Sequence, residues 1–319
     1  MKIVILDRAA IGLDTPIDCL DTLGQVITYD TTSPEQIHDR IADADVIIIN
    51  KIRITREILS ASRLKLICIF ATGFDSVDIE AARELGIGVC NVPGYSTDSV
   101  TVFTLATVLS LLTHLPEYSA FVKSGEYSAS GAPNRLSPVY HDLSGKTWGI
   151  IGCGEIGGAV ARVVEALGAR VITYQRHTHS KYPTLTLGEL ASESDIITVH
   201  CPLNENSRGM INAKLLSMMK NDVILVNSAR GAVLDEWAVA DAVKQGRIGA
   251  FGCDVYSVEP FDTEHPYYSI RGLDNVILTP HVAWGSYEAR ARCINVIKTN
   301  IYDFVNGKFT NRVDKTWQK

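Results

Sequence analysis

The sequence predicts an α/β protein of two doubly wound domains, the second inserted into the first. Three observations carry this. Short apolar runs rich in β-branched residues recur at helix-length intervals, the spacing of buried parallel strands joined by helices. A Pro-Gly turn interrupts the series once before it restarts, and a helical pattern near the end returns the chain to the first series. The 319 residues also exceed the length at which one hydrophobic core usually stops growing.

In chain order, Lys2-Ile-Val-Ile-Leu6, Val46-Ile-Ile-Ile-Asn50 and Leu66-Ile-Cys-Ile-Phe70 read as buried strands with helices between them. Gly86-Ile-Gly-Val-Cys90 adds a further strand, and Asn91-Val-Pro-Gly-Tyr95 ends the series. Residues 98–115 are apolar after an Asp/Ser/Thr-rich start, as in a capped helix bridging two domains. A Ser-rich loop is expected over residues 124–142. Six strands then follow, over residues 147–151, 170–174, 196–200, 223–227, 249–254 and 276–279. Residues 286–305 repeat apolar positions at helical spacing through Ala289, Ile294, Ile297 and Ile301. The expected domains are therefore 1–97 with 286–319, and 98–285.

Composition narrows the function classes. Hydrophobic residues form 46% and charged residues 21% of the chain, the balance of an ordinary globular protein. A net charge of -6 without a basic cluster predicts no nucleic-acid partner. The start of the chain lacks a charged leader, and no long apolar span is evident, so a cytoplasmic protein without membrane contact is expected. The seven cysteines are scattered, form no C-x-x-C pair and read as reduced core residues; no metal site is expected.

Gly152-Cys-Gly-Glu-Ile-Gly157 lies between the strand at 147–151 and a helical run at 158–167. In that setting the glycine spacing serves a dinucleotide. Gly152 permits the tight turn, Gly154 the approach of a pyrophosphate, and Gly157 the packing of helix on sheet, while helix-start N–H groups attract phosphate. The next strand ends Tyr174-Gln-Arg-His177, where an acidic residue for the ribose 2′-hydroxyl of NAD is usual. Gln175 removes that charge, and Arg176 suits a 2′-phosphate through paired hydrogen bonds. NADP is thus favoured over NAD. The alternative is that Gln175 hydrogen-bonds both ribose hydroxyls and Arg176 is solvated, leaving NAD usable.

Asn227-Ser-Ala-Arg-Gly231, Cys253-Asp-Val-Tyr-Ser-Val-Glu-Pro260 and Leu278-Thr-Pro-His-Val-Ala-Trp-Gly285 each follow a predicted strand, the end at which open α/β sheets bind ligands. These segments resemble the signatures of the D-isomer-specific 2-hydroxyacid dehydrogenases, as do Asp142-Leu-Ser-Gly-Lys-Thr-Trp-Gly-Ile-Ile-Gly152 and His200-Cys-Pro-Leu203. The resemblance implies a Rossmann cofactor domain inserted in a flavodoxin-like substrate domain, with a cleft closing on substrate.

It also implies roles. His281 would be the acid/base, Glu259 its orienting partner, and Arg230 the clamp on substrate carboxylate and carbonyl. This is sound chemistry for reducing a 2-keto acid, because histidine exchanges a proton near neutrality and Arg neutralises a carboxylate. Thr72, Gly73 and Phe74 would bind the substrate carboxylate through backbone N–H groups, with Lys51 added to the pocket. Thr104, Gly152, Gly154, Glu155, Ile156, Gly157, Gln175, Arg176, Cys201, Pro202, Ser207, Ser228, Ala229 and Asp254 would line the cofactor.

Within the family, Asn91-Val-Pro-Gly-Tyr-Ser-Thr97 and His281-Val-Ala-Trp284 are similar to the glycerate dehydrogenase, or hydroxypyruvate reductase, branch. Hydroxypyruvate and glyoxylate are the implied substrates, and a homodimer is expected as in similar enzymes. The alternative from another class is a dinucleotide-sensing binding protein of corepressor type.

Overall fold

A computed structural model describes residues 1–175 and 181–315. It divides into two compact units, residues 1–96 with the chain from Gly285 onward, and Thr97–Trp284.

The first unit holds five strands, β1 (Lys2–Ile5), β2 (Gln25–Thr28), β3 (Val46–Ile49), β4 (Leu66–Ile69) and β5 (Gly88–Cys90). They form one parallel sheet in the order β2-β1-β3-β4-β5, the flavodoxin-like order. Helices α1 (Ile37–Ile41), α2 (Arg56–Ser60) and α3 (Ile79–Glu84) connect them. β3 and β4 are buried along their whole length, which is why each reads as an uninterrupted apolar run. β2 is the strand that the sequence reading omits. It lies at the sheet edge and is half exposed, so its apolar content is only Val26 and Ile27.

The second unit opens with α4 (Thr97–Leu112), which buries Val100, Thr104, Val108 and Leu111. α5 (Leu115–Lys123) and α6 (Glu126–Ser130) follow, so the stretch expected as a loop from 124 begins with a short helix. His114, at φ 51, breaks α4 from α5.

Six parallel strands then form the order β11-β10-β9-β8-β6-β7. They are β6 (Thr147–Ile151), β7 (Arg170–Tyr174), β8 (Ile196–Val199), β9 (Ile224–Asn227), β10 (Ala250–Cys253) and β11 (Val276–Leu278). The helices α7 (Glu155–Ala166), α8 (Leu187–Glu193), α9 (Ala213–Leu216) and α10 (Glu236–Lys244) lie between them. β7 and β8 flank β6 on opposite sides, so the chain reverses direction across the sheet beside the first strand and opens a crevice there. Gly252 lets α4 approach the sheet, since a Cβ there would meet Thr107 Cγ2 at 2.5 Å.

The chain returns to the first unit as α11 (Tyr287–Val305), capped by Ser286 Oγ accepting from the Ala289 N–H and burying Ala289, Ile294, Ile297 and Ile301. Its Asn300 Nδ2 donates to Asn91 O at 3.0 Å. Among the described residues no single helix is long and apolar enough to cross a membrane, and no cluster of three His, Cys, Asp or Glu side chains could hold a metal ion.

Candidate active site

Every strand of the six-stranded sheet is parallel, so the loops after β6, β7, β8, β9, β10 and β11 share its carboxyl end. Gly152, Gln175, His200, Arg230, Glu259 and His281 all sit on these loops.

The glycine turn after β6 is shaped by close backbone approach. Gly152 has φ 93, a region that L side chains avoid, and a Cβ there would lie 2.6 Å from Cys201 N. A Cβ on Gly157 would lie 2.2 Å from Gly152 O, whereas one on Gly154 would meet nothing within 4 Å. The second glycine therefore faces open space, as a pyrophosphate needs. Gly154 is also the N-cap of α7 and has no side chain to cap it, with Glu155, Ile156 and Gly157 in the first turn.

Two buried polar groups flank this turn without a protein partner, Gln175 Nε2 and both ring nitrogens of His200. Burial lowers the His200 imidazole to about 4, so it is neutral and can donate from one nitrogen and accept at the other. Unpaired buried donors and acceptors beside a glycine turn fit the hydroxyls of a nucleotide. Arg176 lies outside the described residues.

Glu259 and His281 come together across 22 positions of sequence. His281 Nδ1 lies 2.9 Å from Glu259 Oε1 and 2.7 Å from Oε2, with each side chain about a quarter exposed. The carboxylate thus holds the proton on Nδ1 and fixes the tautomer. His281 itself has φ 54, an uncommon conformation for a residue with a Cβ.

Asp254 keeps it there. The buried carboxylate accepts from Thr279 Oγ1 at 2.7 Å and from the N–H groups of Val282 at 2.9 Å and Ala283 at 2.8 Å. Burial pushes the Asp254 carboxyl up, against those three donors and the His281 charge. The sequence reading places Asp254 at the cofactor; in the structure its oxygens hold both sides of the His281 turn.

Arg230 follows β9 and donates through Nη1 to Ala229 O at 2.7 Å, while its own carbonyl accepts from Asn227 Nδ2 at 3.0 Å. The Ala229 N–H is turned onto Asn227 Oδ1. A Cβ on Gly231 would lie 2.1 Å from the carbonyl carbon of Tyr256, so the Arg230 loop packs directly on the loop that carries Glu259. Tyr256, which sequence reasoning passes over, joins the parts. Its N–H donates to Glu259 Oε1 at 3.1 Å and its hydroxyl to Thr279 O at 2.8 Å.

The other residues expected at the cofactor divide by what they already do. Thr104 is buried and its Oγ1 lies 3.0 Å from Ser228 Oγ. The Ser207 hydroxyl closes its own loop by donating to Pro202 O at 2.7 Å, and burial raises the Cys201 thiol to about 11, so Cys201 is no nucleophile at neutrality.

In the first unit, Thr72 Oγ1 donates to Val92 O at 2.9 Å, and Asn91 Nδ2 donates to Thr72 O at 2.8 Å. The hydroxyl is thereby occupied and the Thr72-Gly73-Phe74 loop is pinned by its backbone. Phe74 is 40% exposed. Lys51 is exposed, and its N–H donates to Asp7 Oδ2 at 2.9 Å.

A glycine turn into a helix start, in the crevice of a parallel sheet whose far loops hold a carboxylate-bound imidazole, defines a dinucleotide-dependent oxidoreductase. Residues 105–283 match the D-isomer specific 2-hydroxyacid dehydrogenase NAD binding domain. The chain belongs to that family, the D-2-hydroxyacid dehydrogenases.

It is 35% identical to a hydroxypyruvate reductase of Blautia hydrogenotrophica, over 99% of this chain and 100% of that one. It is 34% identical to a glycerate dehydrogenase of Methylorubrum extorquens, over 98% and 99%. Among solved structures, a D-lactate dehydrogenase of Aquifex aeolicus complexed with NAD and lactic acid superposes with a TM-score of 0.86 at 27% identity, over 99% of this chain and 100% of that one.

Proposed function

We propose that this enzyme reduces small 2-keto acids, hydroxypyruvate and glyoxylate foremost, to D-2-hydroxy acids, with Thr97–Trp284 as the dinucleotide domain and the other unit as the substrate domain. The observation that carries the reading is the Glu259 carboxylate on His281 Nδ1, since it reserves Nε2 for exchange of a proton with substrate. The names of the relatives support the substrate class.

When bound, reduced nicotinamide would supply the hydride that the keto carbon takes up. Protonated His281 gives its Nε2 proton to the carbonyl oxygen, so that with the hydride the C=O double bond becomes a C–O single bond with one new C–H and one new O–H. Glu259 steadies the imidazolium before the transfer and the Nδ1–H tautomer after it. Arg230 binds the substrate carboxylate and polarises the carbonyl. The backbone N–H groups of Thr72, Gly73 and Phe74 are assigned a second hold on the carboxylate, with Lys51 beside them, by their match to the family's motif.

NADPH is favoured over NADH because Gln175 brings no negative charge to the ribose and its Nε2 lacks a protein partner. Exposed Leu115, Val122, Leu136, Val139 and Tyr140 on and after α5 support a homodimer through this region. Oxidation of NADPH and NADH over a panel of 2-keto acids tests the reading. The highest kcat/KM is expected with hydroxypyruvate or glyoxylate and NADPH. A strong NADH preference would remove the phosphate assignment, and no turnover with any acid would favour the dinucleotide-sensing alternative.

A further inference from the structure

Behind the Glu259 loop lies a second carboxylate–imidazole pair that the reaction does not use. Glu236, in the first turn of α10, and His265 are both buried, with His265 Nε2 3.1 Å from Glu236 Oε2 and side chains 8% and 6% exposed. His265 Nδ1 accepts the Tyr267 N–H at 3.2 Å. A nitrogen that accepts carries no proton, so the imidazole is the neutral Nε2–H tautomer and donates to Glu236. The ring is boxed by aromatic neighbours, with Phe261 stacked at 4.9 Å, Tyr267 at 5.1 Å and Tyr256 at 5.9 Å between centroids. Such packing leaves it no room to swing.

The carboxylate so fixed points at one stretch of backbone. Glu236 Oε1 accepts the Ser257 N–H at 2.9 Å, and Oε2 accepts the Ser257 hydroxyl. Ser257 adjoins Tyr256, whose N–H donates to Glu259 and whose carbonyl carbon sits against Gly231. The peptide at 256–257 therefore meets three things at once: Glu236 through Ser257, Glu259 through Tyr256, and the loop carrying Arg230.

We propose that Glu236, oriented by neutral His265, is a positioning residue that anchors the Tyr256–Ser257 peptide and so sets where Glu259 meets His281. A carboxylate buried with three donors is costly to keep. It holds a loop with no regular secondary structure between β10 and Pro266, where neither helix nor strand bonding could fix the Glu259 side chain. The inference rests on the acid/base reading of His281 and Glu259 but can be tested apart from it.

The experiment follows the imidazole protons of the uniformly 15N-labelled full chain by NMR, with the His281 signals assigned by their loss in His281→Gln. The parent chain should show a slowly exchanging Nδ1 proton held by Glu259. Glu236→Ala should lose or broaden it, and should lower kcat with hydroxypyruvate by about tenfold or more, the scale of one charge-assisted hydrogen bond, while KM and the cofactor Kd stay within about threefold. Glu236→Gln keeps the acceptor for the Ser257 N–H and should recover part of both readouts.

Should Glu236→Ala fail to fold, Ser257→Ala removes the hydroxyl contact alone and should weaken the same proton signal. Retention of the His281 Nδ1 proton in Glu236→Ala, or in Ser257→Ala where that variant decides, would overturn the inference, as would equal loss of kcat in the Gln and Ala variants of Glu236. An inactive parent chain would instead sink the reductase reading, leaving the NMR comparison in force.

Discussion

Replacing Asp254 by Asn separates a residue that holds the His281 turn from one that binds cofactor. The carboxylate serves three donors, Thr279 Oγ1 and Val282 N–H at Oδ1 and Ala283 N–H at Oδ2. Asn has one acceptor oxygen. In its best orientation it keeps the two bonds at Oδ1 and turns its NH₂ toward the Ala283 N–H, placing donor against donor. Losing one hydrogen bond to a charged group costs about 1.5–3 kcal/mol. Part of this is returned, because burial opposes the charge on Asp254 and Asn carries none, leaving about 1–2 kcal/mol of net destabilisation.

That amount matches the cost of the left-handed backbone at His281, about 1–2 kcal/mol for an L residue. The turn should then relax, and each 1.4 kcal/mol shifts the ratio of productive to relaxed conformer about tenfold. Steady-state oxidation of the reduced cofactor should show kcat lower by about 5–30-fold, with cofactor Kd from fluorescence titration within about twofold. A Kd weakened about tenfold with kcat at saturation unchanged would refute this and return Asp254 to direct cofactor contact.

Gly152→Ala sets a Cβ against the backbone of Cys201 and His200 at φ 93, so both melting temperature and cofactor affinity should fall. Gly154→Ala meets open space and should weaken cofactor binding with the melting temperature near that of the parent, as differential scanning fluorimetry with and without cofactor would show. Asp314 is a test of acid stability. Burial pushes its carboxyl up, but Arg312 and the Val89 N–H outweigh this and hold it below the usual carboxylate range. Its stabilisation is therefore full above about pH 4 and lost as pH falls through the lower folded value. Urea unfolding should show Asp314→Asn less stable than the parent at neutral pH by about 1–3 kcal/mol, with the gap closing toward pH 2.

The strands buried on both faces were legible because whole apolar runs such as Val46-Ile-Ile-Ile49 admit few other readings. β2 escaped because a sheet edge needs only one apolar face. α6 escaped because Glu126-Tyr-Ser-Ala-Ser130 buries nothing and carries no periodicity. In the site, residue type marked His281, Glu259 and the glycine turn. What those residues rest on was hidden: Glu236 and His265 lie 29 positions apart, and a Glu in the first turn of a helix reads as solvated and dipole-stabilised. Asp254 is expected at the cofactor from the sequence, and its hold on the His281 turn depends on bonds across 25 or more positions that no local pattern announces.

His281→Ala tests the central claim most directly. Single-turnover reduction of hydroxypyruvate by the cofactor-loaded enzyme should slow by about 10²–10⁴-fold, the range that a positioned general acid contributes, while cofactor affinity stays within about twofold of the parent. Turnover at the parent rate would contradict the account, because the proton would then come from a group other than the imidazole that Glu259 holds.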